Sequence, residues 1–341
     1  MQQKYGVGID CGTMNLVSAR VSETGDSLLF RKYRNLFLSL PREQKRSLGR
    51  LKVVDFIDRP EHDDILLLSD KALDIANALG ATARRPLQGG LLASNEQDGV
   101  TVLATMIKSI LGTPQHKGEV CYYSVPAKPV DDPTKDVIYH TRVLGDIING
   151  CGFTAVPANE AAAIVFAECE SSEFTGIACS FGSGMTNVAL VYKTIPLYEF
   201  SIAMGGDYID ERAASQIQGM SSNVMCSIKE QSGWSLLAPE TPEQRALATY
   251  YNHLIKVVVH HIVEQFNLIK NKNRIVESIP VVISGGTSMV KGFLDMFTKE
   301  FKESKFPLGI SEIRMSSNPL QAVARGLLVQ AAQEEEDQDD T

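Results

Sequence analysis

A strand, a glycine turn and a second strand occur twice in this chain, and that repetition restricts the fold more than any other feature. Near the start, Tyr5 to Val17 reads YGVGIDCGTMNLV. Val7, Gly8 and Ile9 form an apolar run that ends on the carboxylate of Asp10, a turn follows at Gly12, Thr13 and Asn15, and Leu16 and Val17 restart an apolar strand. The pattern predicts a β-hairpin with phosphate-sized room at its tip. Gly12 lets backbone N–H groups approach an anion, Thr13 adds a hydroxyl donor, and Asp10 is placed to hold a divalent cation through water. Halfway along, Gly176 to Tyr192 (GIACSFGSGMTNVALVY) repeats the arrangement, with Gly182, Ser183, Gly184 and Thr186 at the turn. An internal duplication of this kind predicts two similar halves, each contributing a glycine loop, so that a triphosphate is held from both sides.

Length and composition set the scale. With 341 residues the chain is long enough for about two domains, and 44% apolar with 22% charged residues belongs to a soluble globular protein. A net charge of −8 without a Lys/Arg stripe argues against direct binding of nucleic acid. Part of that charge lies in Glu334 to Asp340, which reads as a disordered, solvated acidic tail. No apolar run has the length to cross a bilayer, and the first strand begins too early for a signal peptide or membrane helix to precede it, so a cytosolic protein without direct membrane insertion is expected. The six cysteines form no C-x-x-C pair and fall mostly within apolar patterns, which predicts buried, reduced thiols and no zinc site.

The expected organisation is an α/β fold of two similar, duplicated domains facing each other across a cleft, each with a small inserted subdomain. Segments 1–32, 86–157 and 317–333 make the first core, with 33–85 inserted. Segments 158–206 and 276–316 make the second, with a mostly helical insertion over 207–275. Helices are expected over about 95–111, with Val100, Leu103, Ile107 and Ile110 on one face, and over about 133–149, 159–168, 290–301 and 319–332. His260 and His261 are neighbours on a helical pattern and do not share a face, so no metal role is assigned to them. Trp234 reads as a packing residue or a subunit-contact anchor.

A third motif, Val281 to Phe293 (VVISGGTSMVKGF), carries a buried strand into Gly285, Gly286 and Thr287 and then towards a helix, a favourable place for a nucleotide. Taken in order, GIDCGTMNLV, NEAAAIVFA, SFGSGMTNVAL, VVISGGTSMVKGF and NPLQAVARGLL resemble phosphate loop one, first connecting helix, phosphate loop two, adenosine loop and second connecting helix of the actin-like ATPase superfamily. RPLQGGLLASN, YYSVPAK and GGDYIDERA with a later IKEQ are most similar to the bacterial actins of the MreB and MamK type, on the cytosolic, MamK-like side. The resemblance implies RNase H-like domains around a nucleotide cleft, with ATP or GTP and Mg2+ as cofactors. It implies that Asp10, Gly12, Thr13, Met14 and Asn15 hold the metal water and the β/γ-phosphates, with Gly182, Ser183, Gly184, Met185 and Thr186 on the other side. Glu160 falls where the attacking water is positioned, Asp207 near ribose and metal, Lys229 and Glu230 at purine and ribose, and Gly285, Gly286 and Thr287 at the adenosine.

Several positions depart from that pattern, Met14 among them, where a small polar residue is common. Ser180 stands where the second phosphate loop begins with Asp, and Met185, Thr186 and Asn187 replace Thr-Thr-Asp/Glu. One carboxylate fewer near the metal predicts weaker Mg2+ retention and slower hydrolysis, with ATP binding retained. The function implied by the resemblance is a nucleotide-dependent cytoskeletal protein, an ATPase that polymerises head to tail with itself into a multi-stranded filament and takes an adaptor protein as a further partner. Two alternatives share the fold: a non-polymerising ATP-binding scaffold of the pilus-assembly type, and a sugar or metabolite kinase, for which the chain shows no acceptor-pocket aspartate.

Overall fold

A computed structural model describes residues 6–22, 24–48, 55–269 and 277–339. Tyr5, Val53, Lys272 and Asp340, which bound or fall within predicted segments, lie outside the described residues. The chain divides into two compact units, residues 1–125, 136–158 and 327–341 in the first and 126–135 with 159–326 in the second.

In the first unit, β1 (Val7–Cys11), β2 (Asn15–Val21) and β3 (Leu28–Arg34) form an antiparallel meander. Three further strands, β4 (Phe37–Pro41), β5 (Phe56–Arg59) and β6 (Asp64–Leu68), make a separate small sheet backed by α1 (Ser69–Leu79). A two-residue pair, β7 (Leu87–Gln88) and β8 (Leu91–Leu92), leads to α2 (Gly99–Leu111). Then β9 (Val120–Val125) pairs parallel to β1, and α3 (Val137–Gly150) precedes β10 (Thr154–Asn159). The sheet order is β10-β9-β1-β2-β3. Helix α2 starts later than expected, and Val100 in its first turn stays 40% exposed. Val102 and Met106 join Leu103, Ile107 and Ile110 on the buried face instead.

In the second unit, α4 (Glu160–Glu168) leads into β11 (Gly176–Phe181), β12 (Thr186–Tyr192) and β13 (Ile195–Ile202), a second antiparallel meander. Helices α5 (Gly206–Ala214), α6 (Ser222–Lys229) and α7 (Pro242–Ile269) follow, then β14 (Ile279–Ser284), α8 (Phe293–Glu303) and β15 (Ile310–Met315), and the chain ends in α9 (Ala322–Asp339), whose residues from Leu327 onward belong to the first unit. The sheet order β13-β12-β11-β14-β15 repeats that of the first unit, with β14 parallel to β11 as β9 is to β1. Every residue of β11 and β14 is buried, because each strand has neighbours on both edges and helices over the sheet. Residues 126–135 join this unit through a bridge between Pro129 and Ser201.

The aromatic core of the second unit runs from Phe181 through Phe293 and Phe297, set edge to face with Phe181, to Phe301. Trp234 packs into the same core with its indole N–H donated to the Lys229 carbonyl, so it serves packing. All six cysteines are free thiols. Burial pushes the Cys11, Cys121 and Cys179 thiols up, Cys179 to about 12.

The acidic end of the chain corrects the expectation of disorder. Helix α9 continues to Asp339, and in the first unit Glu335 accepts a hydrogen bond from the Val120 N–H at 2.6 Å while Glu334 accepts one from the Tyr122 hydroxyl at 2.5 Å. The N–H at the start of β9, the Tyr122 hydroxyl and the apolar face of Leu327, Leu328 and Ala331 supply partners that composition alone does not reveal.

Candidate functional site

The first hairpin holds its tip from behind. Gly12 closes the turn with its α-carbon so near the returning strand that a β-carbon would lie 2.8 Å from the Asn15 carbonyl oxygen, which leaves room for glycine alone. The fully buried Asn35 donates its side-chain amide to the Gly12 carbonyl and its backbone N–H to the Met14 carbonyl, both at 2.9 Å. Asp10 is set at the end of β1, where its Oδ1 accepts a 2.8 Å bond from the Ser124 hydroxyl, and Ser124 Oγ in turn accepts the Cys11 N–H. Burial pushes the Asp10 carboxyl up to about 6, against the opposing pull of Ser124. Thr13 is buried, and the buried Oδ1 of Asn15 has no hydrogen-bond partner.

The second hairpin repeats the cradle. A β-carbon on Gly182 would lie 2.9 Å from the Met185 carbonyl oxygen, the same three-residue relation as in the first hairpin, and the Gly182 N–H donates to that oxygen at 3.0 Å. Helix α5 begins against the loop: Gly206 N–H donates to the Gly182 carbonyl and Asp207 N–H to the Ser183 carbonyl, at 3.0 and 2.8 Å. Thr287, just past β14, donates its hydroxyl to the same Gly182 carbonyl at 2.9 Å. Gly285 sits at φ +95°, and a β-carbon there would be 2.3 Å from the Phe181 carbonyl oxygen. The loop at Gly182–Met185, the start of α5 and the Gly285-Gly286-Thr287 turn therefore converge within one unit. Thr186 is fully buried and donates its hydroxyl to the Met204 carbonyl, so it supports the loop from inside. Ser183 Oγ is buried without a partner.

Lys229 reaches the same place from the end of α6. Its ammonium donates to Asp210 Oδ2 at 2.6 Å and to the Gly206 carbonyl at 3.2 Å, and both side chains are buried. Burial pushes the Asp210 carboxyl up to about 6, outweighing the pull of Lys229. Glu230 is exposed and accepts a weak bond from the Cys226 thiol at 3.9 Å.

Glu160 opens α4 behind the capping residue Asn159, whose Oδ1 accepts the N–H groups of Ala161 and Ala162. Its Oε1 accepts the Ser180 hydroxyl at 2.5 Å and its Oε2 the Asn187 amide at 3.0 Å. Ser124, Asn35, Asp210 and Asn187 are the supporting residues that motif reading did not assign. The available signal was a polar side chain at the C-terminal end of an apolar strand, as in YYSVPAK.

These donors fit a phosphate chain. The buried Ser183 hydroxyl left unpaired at one hairpin tip, together with backbone cradles that exclude side chains, suits an anionic ligand, while the unpaired Asn15 Oδ1 at the other is an acceptor suited to a water or hydroxyl donor. Among the described residues no group of three or more His, Cys, Asp and Glu side chains is arranged to hold a metal directly. A Mg2+ bound through water and phosphate oxygens, with Asp10 beside it, is the form that the side chains present can accommodate. His261 Nδ1 lies 3.3 Å from Glu264 Oε2 and its ring packs edge to face on His260.

Two units of one topology, each with a glycine hairpin beside a parallel strand, define the actin-like class of folds, and the solved structures agree. A MamK double helical filament matches at 17% identity with a TM-score of 0.68, covering 95% of this chain and 98% of that one. MreB5 of Spiroplasma citri bound to ADP matches at 13% identity and 0.68, over 100% of each chain. The ethanolamine utilization protein EutJ from Carboxydothermus hydrogenoformans matches at 16% identity and 0.55, over 96% of this chain and 90% of that one. At such identities the likeness is one of fold. Residues 5–331 match the Volactin family model, and the chain belongs to the Volactin family. No curated protein matches it in sequence.

Proposed function

We propose that this protein is a cytosolic, actin-like filament protein that binds ATP with Mg2+ and polymerises head to tail. The observation that carries the reading is the duplicated cradle, two hairpins of one geometry in which a glycine closes against the carbonyl three residues on. Gly12, Thr13, Met14 and Asn15 on one unit and Gly182, Ser183, Gly184 and Met185 on the other bind the phosphates through backbone N–H groups and the Thr13 and Ser183 hydroxyls. Asp10 holds the metal water, Asp207 and Glu230 take the ribose, and Lys229 with Gly285, Gly286 and Thr287 the base. Bound Mg·ATP supplies a phosphoanhydride whose charge the metal neutralises. Glu160 orients the attacking water from the first turn of α4, where the helix dipole favours its charge. Solved relatives in fold include a MamK double helical filament and MreB5 bound to ADP, which supports both nucleotide binding and self-association. Among the described residues no helix is long and apolar enough to cross a membrane.

The test is light scattering and sedimentation with and without ATP and Mg2+, followed by electron microscopy of the pellet. Filaments that need nucleotide are expected. A monodisperse protein under every condition rejects polymerisation and leaves the non-polymerising scaffold.

A further inference from the structure

The two positions at which the second phosphate loop lacks the acid of the related pattern, Ser180 and Asn187, are not independent. Ser180 on β11 and Asn187 on β12 are directly opposite in the antiparallel register, and both are buried, with 1% relative exposure each. They converge on one group, the Glu160 carboxylate, one on each oxygen. Asn187 is further constrained, because its Oδ1 accepts the Ala127 N–H at 3.1 Å. A backbone N–H can only donate, so the amide oxygen faces Ala127 and the NH2 group faces Glu160. An aspartate at 187 would satisfy Ala127 equally well but would set a second carboxylate against Glu160. An aspartate at 180 would do the same on the other oxygen. The side chains chosen at both positions are neutral donors, and two donors facing an anion both hold its charge and fix its orientation.

We propose that Ser180 and Asn187 are a matched positioning pair for Glu160. They hold its carboxylate at the start of α4 in the orientation that directs the attacking water, and they govern the rate of hydrolysis rather than the affinity for nucleotide. The inference rests on the nucleotide reading above and deepens it. Ser180 is on this account not merely a lost metal acid. It is half of a two-donor grip whose other half is Asn187, so restoring an acid at either place alone works against the carboxylate already there.

The test has a spectroscopic and a kinetic arm. In 15N-labelled protein the Asn187 side-chain amide signal, assigned by its disappearance in N187D, is expected to move upfield in E160Q as the charged acceptor is lost. In ATPase assays S180A and N187D are expected to lower kcat about tenfold to a hundredfold with KM held within about twofold, while S180T, which keeps the hydroxyl, stays within about threefold of wild type. In an E160Q background neither S180A nor N187D is expected to lower the rate further, since both act through the one carboxylate. Equal losses in both backgrounds, or an Asn187 signal that E160Q leaves in place, overturn the pairing even if the kinetic variants fold poorly. Absence of ATP binding by the wild-type chain in titration calorimetry with Mg2+ overturns the nucleotide reading instead, and the amide signal then still decides whether the grip exists.

Discussion

In the first hairpin the charge lies on the strand. Asp10 ends β1, and a hydroxyl, Ser124, comes to it from the parallel neighbour β9. In the second hairpin the corresponding strand position, two residues before the cradle glycine, is Ser180, and the charge arrives from a helix as Glu160. The parallel neighbour again offers a serine at this level, Ser284 in register with Ser180, but its hydroxyl turns to the Pro319 carbonyl at 3.2 Å. The backbone is thus duplicated while the charge is not. Asp10 is half-buried with the Ser124 hydroxyl on it and its carboxyl is pushed up to about 6 by desolvation, so a nearby cation would favour its charged form. Glu160 is gripped on both oxygens and is held as it stands. Under the proposed nucleotide reading, the metal side of the chemistry falls to the first hairpin and the water side to the second.

The largest expected effect separates these roles. D10A is expected to weaken Mg·ATP binding about a hundredfold or more and to abolish nucleotide-dependent assembly, as measured by titration calorimetry and sedimentation, because the second hairpin has no carboxylate of its own on the strand to take over. If S180A weakens Mg·ATP binding as severely as D10A, the division of labour is wrong.

A smaller effect tests the charge stored beside the second cradle. K229M leaves Asp210 buried without its cation and is expected to cost about 3–5 kcal/mol in chemical denaturation, whereas the double change K229M/D210L recovers most of that. Loss of the same size in the double variant would show that Lys229 acts by packing alone.

The smallest effect tests the likeness rather than the difference. G12A and G182A each place a methyl group against a carbonyl, 2.8 Å from Asn15 O and 2.9 Å from Met185 O, and are expected to lower stability by a similar amount, about 1–3 kcal/mol. A large disparity between the two melting curves would break the equivalence of the hairpins.

Much of this site is legible in the order of residues along the chain. The two hairpins, the Gly285-Gly286-Thr287 turn and the position of Glu160 at the start of a helix follow from glycine placement, strand alternation and an Asn cap, all of which act within a few residues. The partners of those residues are not legible in the same way. Ser124 bonds to Asp10 across 114 positions and Asn187 to Glu160 across 27, and Asp210, three residues past Asp207 on α5, proves to be the counter-ion of Lys229. The acidic end shows the same limit from the other side: a run of Glu and Asp reads as solvated until Val120 and Tyr122 present donors to it.

The sequence by itself determined the duplicated strand–glycine–strand units, because hairpin turns and apolar periodicity are local properties of the backbone and its nearest side chains, and the order of its motifs resembled the actin-like class. Only the tertiary structure decided which donor faces which carboxylate. That depends on the register of strands paired across long stretches of chain and on which polar groups burial forces to find partners. For this reason Ser180 reads as a missing acid along the chain and as a hydrogen-bond donor to Glu160 in the fold.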